Sequence, residues 1–231
     1  TAVKRAQKTI AVRLTYFQVD DEVVVDFRRE FTARQLEDFV LDLLARYAPW
    51  AKRAAAWQVT RGEALQTLRF PFEEYRAGQY ALAGAVYRTL RDKGRLLCQA
   101  PTGIGKTMST LFPALKAMGE GCGERVFYLT ARTTTRQAAE DALALLRKSQ
   151  PCLSLKSITL TAKDTICLLE QRECTPEACP YANGYYDRIR DALWQALDEN
   201  EFTRAALENL ARRFTVCPFE LGLDLSDWSD L

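Results

Sequence analysis

The sequence predicts an α/β fold. A parallel sheet carries a phosphate-binding loop, a mainly helical insertion with four cysteines interrupts it, and a β-hairpin plus helix comes first. Three observations predict this. Gly94-Arg95-Leu96-Leu97-Cys98-Gln99 runs into Ala100-Pro101-Thr102-Gly103-Ile104-Gly105-Lys106-Thr107, an apolar strand followed by a glycine turn. A second strand–loop–helix unit follows at residues 124–146. Beyond it, Cys167, Cys174 and Cys179 cluster in a short loop and Cys217 lies farther on.

The loop at residues 100–107 is the centre of the reading. Behind it Met108, Leu111, Phe112 and Leu115 recur at helical spacing. A loop between strand and helix wraps phosphates in backbone N–H groups, and the helix N-terminus adds its dipole. Gly103 and Gly105 let backbone approach without a Cβ. Lys106 is expected to reach the β- and γ-phosphates, and the Thr107 hydroxyl to hold Mg²⁺. Ala100 stands where the common pattern has glycine.

Phe70-Pro71-Phe72-Glu73-Glu74-Tyr75-Arg76-Ala77-Gly78-Gln79 precedes a helix with Leu82, Val86, Tyr87 and Leu90. Gln79 can pair bidentately with an adenine edge, and Tyr75 can stack on a base. Without the phosphate loop after it, the same segment reads equally as a helix start with core aromatics.

After the loop's helix, Val126-Phe127-Tyr128-Leu129 reads as a buried strand ending in Thr130-Ala131-Arg132-Thr133-Thr134-Thr135-Arg136. The next helix carries Ala138, Ala142, Leu145 and Leu146. Hydroxyls and arginines at a strand's C-terminal end suit phosphodiester oxygens. Residues 155–160 are expected as a third strand, ending in Thr161-Ala162-Lys163.

The cysteine intervals are six, four and 37 residues, and the chain has no histidine. Zinc sites favour shorter paired knuckles, whereas thiolates of an iron–sulfur cluster attach to different corners. Cluster, zinc and free thiols all remain open on these residues. Between the third and fourth cysteines lie two amphipathic stretches, with Tyr186, Ile189, Leu193 and Leu197, then Leu207, Leu210 and Phe214. Cys98, Cys122 and Cys152 read as bystanders.

At the N-terminal end Ile10, Val12, Leu14 and Tyr16 alternate, and so do Val23, Val25 and Phe27 across Asp20-Asp21. That predicts a hairpin with one buried face. Thr32-Ala33-Arg34-Gln35 is a capping box opening a helix with Leu36, Phe39, Val40, Leu43, Leu44 and Tyr47, which Pro49 is expected to close.

The net charge of +2 announces no polyanionic partner. It hides an uneven distribution: residues 69–150 carry 13 Lys/Arg against 7 Asp/Glu, and residues 164–217 carry 6 against 10. No apolar run reaches the roughly 18 residues of a membrane span. Seven cysteines are odd for a disulfide framework, so a reduced, cytoplasmic setting is expected.

Together these motifs resemble the iron–sulfur superfamily 2 helicases of the DinG/XPD type, over residues 70–231. Tyr75 to Gln79 resembles the Q motif, Ala100 to Thr107 motif I, Thr130 to Thr133 motif Ia, and Cys167, Cys174, Cys179 and Cys217-Pro218-Phe219-Glu220 the cluster ligands. The resemblance implies an ATP-dependent 5′→3′ DNA helicase with a RecA-like P-loop domain 1 over residues 70–163. It implies a 4Fe–4S domain over 164–220 and a return toward domain 1 over 221–231. ATP and Mg²⁺ would meet Tyr75, Arg76, Gln79 and Pro101 through Thr107, with Lys106 and Thr107 as the catalytic pair. Thr130, Arg132 and Thr133 would touch the backbone of single-stranded or forked DNA. A monomer is expected, away from any membrane.

Residues 1–48 resemble the end of a PD-(D/E)xK nuclease-like module found upstream in one bacterial branch, and 49–69 read as a helical linker. No DEAH box is present, so the chain is expected to be a helicase fragment that does not hydrolyse ATP alone. A competing reading is a non-enzymatic P-loop nucleotide- or DNA-binding module whose insertion binds structural zinc. A kinase-type P-loop enzyme gives the insertion no role.

Overall fold

The computed structural model describes residues 8–231. The chain divides into two compact units, residues 1–56 and 57–231. The first seven residues of the segment expected as the end of a nuclease-like module lie outside the described residues.

In the first unit β1 (Thr9–Phe17) pairs antiparallel with β2 (Val24–Thr32). The turn is closed by the Gln18 N–H donating to Val23 O at 2.9 Å, with Glu22 in the left-handed region at φ 57°. The register places Leu14 opposite Phe27 and Tyr16 opposite Val25, so the alternating residues do share one face. That face is exposed, not buried: Leu14 is 54% and Phe27 58% accessible. Two strands bury one face only when another layer covers it.

The capping box forms as expected. Gln35 N donates to Thr32 Oγ1 at 3.2 Å, and Thr32 N donates to Gln35 Oε1 at 2.9 Å. It opens α1 (Ala33–Gln66), which does not stop at Pro49. A proline removes one N–H and crowds one carbonyl, but Ala51, Ala54, Ala55 and Ala56 beyond it are strong helix formers.

From Trp57 onward α1 belongs to the second unit. Leu65 and Leu68, within the stretch read as a linker, are buried in a core with Met108, Leu111, Leu115, Leu143 and Leu146. Gly119 marks the close approach, because a Cβ there would lie 2.7 Å from the Cβ of Leu65. This core joins α1 to α3 (Lys106–Gly119) and α4 (Thr133–Ser149), with α2 (Gln79–Arg91) against α3.

Two stretches expected as buried strands, residues 94–100 and 126–129, carry no ladder assignment, and Leu97 and Leu129 are 100% and 90% exposed. A strand is defined by partners on its edges. The Val126 N–H has one, Asp230 O at 2.8 Å. Asp230 N in turn donates to Lys156 O at 2.8 Å, so residues 229–231 lie between the 126 and 156–158 segments.

β3 (Ser157–Ile158) falls within the expected third strand and pairs parallel with β4 (Glu201–Phe202). Arg147 on α4 binds them together: its Nη2 donates to Ser157 Oγ at 2.7 Å and to Asn200 O at 3.1 Å. Burial pushes the Arg147 guanidinium below its ordinary pKa. Among the described residues these two-stranded sheets are the paired strands.

A second core gathers Ile166, Ile189, Ala192, Ala196, Phe202, Leu207, Ala211, Val216, Leu221 and Leu225. It joins α5 (Lys163–Ile166), α6 (Tyr185–Ala196), α7 (Arg204–Phe214) and α8 (Pro218–Ser226). The helical periodicities around Ile189 and Leu207 form as expected. Thr203 caps α7, its Oγ1 accepting from Ala206 N at 3.3 Å. No helix among the described residues is long and apolar enough to cross a membrane.

Candidate functional site

The phosphate loop has the backbone that its glycines permit. Gly103 and Gly105 sit at φ +85° and +83°, and Gly105 caps α3. That places Lys106 and Thr107 at the first two positions of a 14-residue helix, where N–H groups point outward unpaired. Lys106 Nζ donates to Pro101 O at 2.8 Å and to Ala100 O at 3.1 Å. Thr107 is half-buried, while Pro101 and Thr102 are exposed. The loop therefore combines helix N-terminal N–H groups, one ammonium and the hydroxyls of Thr102 and Thr107, a set suited to an anionic ligand.

The Tyr75–Gln79 segment packs directly on this loop. The Arg76 Nη1–H donates to Gly103 O at 2.9 Å. Gln79 is 2% exposed, and its Oε1 accepts from Arg76 N at 3.0 Å. A Cβ on Gly105 would stand 2.5 Å from Gln79 Nε2, and one on Gly78 would stand 2.9 Å from Ile104 Cδ1. Gln79 thus meets the loop rather than solvent. Tyr75 stacks on Phe70 at 3.9 Å and meets Tyr80 edge-on at 5.2 Å. Burial and the Tyr80 hydroxyl raise its pKa.

Thr130, Arg132 and Thr133 lie together, exposed, on the rim of a cavity of about 430 Å³ floored by Val126, Tyr128 and Leu143. Arg132 is the extended residue before α4, and its carbonyl accepts from Thr130 Oγ1 at 3.2 Å and Thr135 Oγ1 at 2.8 Å. Those hydroxyls fold the loop back on itself and leave the Arg132 side chain outside. Arg136 joins the rim, 3.6 Å from Glu140.

Cys167, Cys174, Cys179 and Cys217 line one cavity of about 250 Å³, although 37 residues separate the last two. Cys167 ends α5, and Cys217 precedes α8 with Pro218 at the helix start. Cys179 is buried and Cys174 exposed. Cys98, Cys122 and Cys152 are not among the lining residues. Burial pushes the Cys217 thiol up, opposed by backbone hydrogen bonds from Glu220 and Phe219. Among the described residues no group of three His, Cys, Asp or Glu converges as ligands of one ion.

Lys163, Tyr185 and Glu220 also line this cavity. Lys163 Nζ lies 2.8 Å from Glu220 Oε1 and 5.1 Å from the Phe219 ring centre. The hydrogen bond to Glu220 raises the Lys163 pKa. The buried Tyr185 hydroxyl donates to Asp224 Oδ2 at 2.7 Å. Glu220 is legible in the sequence as the acid one turn after Cys217-Pro218, but its cation is not.

No family model matches the sequence, and no solved structure matches it. Over 47 residues the chain is 38% identical to a probable ATP-dependent helicase of Methanocaldococcus jannaschii. The match covers 20% of this chain and 7% of that protein's length. It supports a helicase relationship.

Proposed function

We propose that this chain is part of an ATP-dependent 5′→3′ DNA helicase of the DinG/XPD type, with a RecA-like first domain and a 4Fe–4S insertion. The observation that carries the reading is the packing of Arg76 and Gln79 onto Gly103 and Gly105. A base-side segment locked to a phosphate loop is what an adenine nucleotide needs, and the partial similarity to a probable ATP-dependent helicase agrees with it.

In this reading Lys106 exchanges the carbonyls of Ala100 and Pro101 for β- and γ-phosphate oxygens. Thr107 holds Mg²⁺, and the first N–H groups of α3 receive the remaining charge. Tyr75 offers a face to the base. Arg76 and Gln79 report its presence to the loop through Gly103 and Gly105, so adenine contact and loop geometry are coupled. Thr130, Arg132 and Thr133 take the phosphodiester backbone of single-stranded or forked DNA.

The four cysteines line one cavity, and their intervals of six, four and 37 residues suit thiolates at separate corners of a cluster better than the short paired knuckles of zinc sites. When bound, the cluster would supply a rigid inorganic node joining α5, α6 and α8.

The chain contains no histidine and so no DEAH box. Nucleotide binding without turnover is therefore expected of these 231 residues. Fluorescent ATP-analogue titration, with iron and sulfide analysis of anaerobically purified protein, tests both halves. A colourless protein with one zinc per chain would instead support a non-enzymatic P-loop module. Failure to bind Mg·ATP would remove the helicase reading.

A further inference from the structure

The wall of the cysteine cavity is held by two acidic side chains of α8, Glu220 and Asp224, one helical turn apart and therefore on one face. Glu220 grips Lys163 at 2.8 Å, and Asp224 accepts from the Tyr185 hydroxyl at 2.7 Å. Each grip lies one short step from a cysteine. Cys167 N donates to Lys163 O at 3.0 Å, so Lys163 is hydrogen-bonded to the residue bearing the first thiol. Ala182 N donates to Cys179 O at 3.1 Å and Tyr185 N donates to Ala182 O at 3.2 Å, so Tyr185 ends the turn that begins at the third thiol. On α8 itself Leu221 N donates to Cys217 O at 2.9 Å. Cys174 follows through the loop it shares with Cys179, whose N–H donates to Thr175 O at 2.9 Å.

We infer that α8 is a clamp that sets the separation of the four thiolates, with Glu220–Lys163 and Asp224–Tyr185 as its two independent positioning contacts. This rests on the cluster reading of the cavity. The physical need is plain. The cysteines come from three segments, α5, the loop before α6 and the start of α8, and 37 residues separate Cys179 from Cys217. Backbone bonding inside each segment fixes its own thiol but not its distance to the others. A cluster accepts ligands only at its corner spacing, so contacts between segments decide how firmly it is held.

The experiment uses the whole 231-residue chain reconstituted with iron and sulfide. It follows loss of the cluster's visible absorbance under an iron chelator, with far-ultraviolet circular dichroism of the metal-free protein as a fold control. K163M and E220Q are each expected to speed cluster loss roughly 10-fold, and the double variant to be no faster than either. Y185F and D224N form the second pair, and one change from each pair should multiply. The exchange K163E/E220K should recover most of the retention.

The direction is decisive. If Lys163 and Glu220 act only as nearby charges, removing a cation and removing an anion must move cluster retention in opposite senses, and the clamp is overturned. Unchanged loss rates in variants that keep wild-type circular dichroism overturn it also. Should K163M lose helicity, Y185F, which removes one hydroxyl, gives the same decision. A wild-type chain that takes up no iron and sulfide overturns the cluster reading itself, whereas a loaded wild type with indifferent variants overturns the clamp alone.

Discussion

Arg61 and Asp230 stand 169 positions apart in sequence and form an ion pair, buried at Asp230 and partly buried at Arg61, with Nη1 2.7 Å from Oδ1. The Asp230 carboxylate is 3% exposed and also accepts from Trp57 Nε1 at 3.1 Å and from Lys156 N at 2.8 Å. Lys156 Nζ lies 4.3 Å from the Trp57 ring centre and donates to Leu197 O at 2.8 Å. One carboxylate therefore fastens the end of α1 to the segment that leads into β3.

Removing one partner of such a pair strands the other charge. R61M is expected to destabilise the second unit by about 3–5 kcal/mol, because Asp230 then keeps a buried charge with only neutral donors. R61M/D230N should recover part of that loss. Urea denaturation of both variants measures it, and R61M equal to wild type would show the pair to be dispensable.

Gly105→Ala should separate loop geometry from fold. The left-handed φ of +83° costs a non-glycine residue about 1–2 kcal/mol. The new Cβ would also press within 2.5 Å of Gln79 Nε2, a side-chain tip that can shift only by leaving its buried position. A loss of ATP affinity of roughly tenfold or more is expected, since 1.4 kcal/mol is a factor of ten. Q79A should relieve the contact in the double variant. Isothermal titration with Mg·ATP reads both effects.

Lys106→Met should do the reverse. Lys106 is exposed and bonds only carbonyls of its own loop, so stability should change by less than about 0.5 kcal/mol. Nucleotide binding should be lost. A thermal melt matching wild type beside a flat ATP titration is the expected pair of results.

Arg132→Ala probes the rim. If Arg132 neutralises one phosphate, affinity for an oligo(dT) strand falls and the slope of log K against log[salt] becomes shallower by about 0.7. Arg147→Ala, at a cation already engaged by Ser157 and Asn200, should lower stability without changing that slope. Equal slopes for R132A and wild type would remove Arg132 from the DNA contact.

Patterns that act over a few residues were legible in the chain alone. Thr32 and Gln35 cap α1, Gly103 and Gly105 take left-handed φ, Met108 to Leu115 bury one helix stripe, and the Ile189 and Leu207 periodicities become α6 and α7. Each depends on neighbours within a turn or two, so local spacing carries the information. Pro49 misled because the alanines after it outweigh one lost hydrogen bond. The exposed hairpin face, and the residues at 94–100 and 126–129 without a ladder, show that alternation predicts which side chains share a face but not what covers it. That Cys217 belongs with Cys167, Cys174 and Cys179 was an expectation of the sequence, and the four line one cavity. Only the tertiary structure decided that Gln79 faces Gly105 and that Lys163 and Asp230 find Glu220 and Arg61. Those meetings depend on how helices and loops pack in space, and no spacing along the chain encodes a partner that far away.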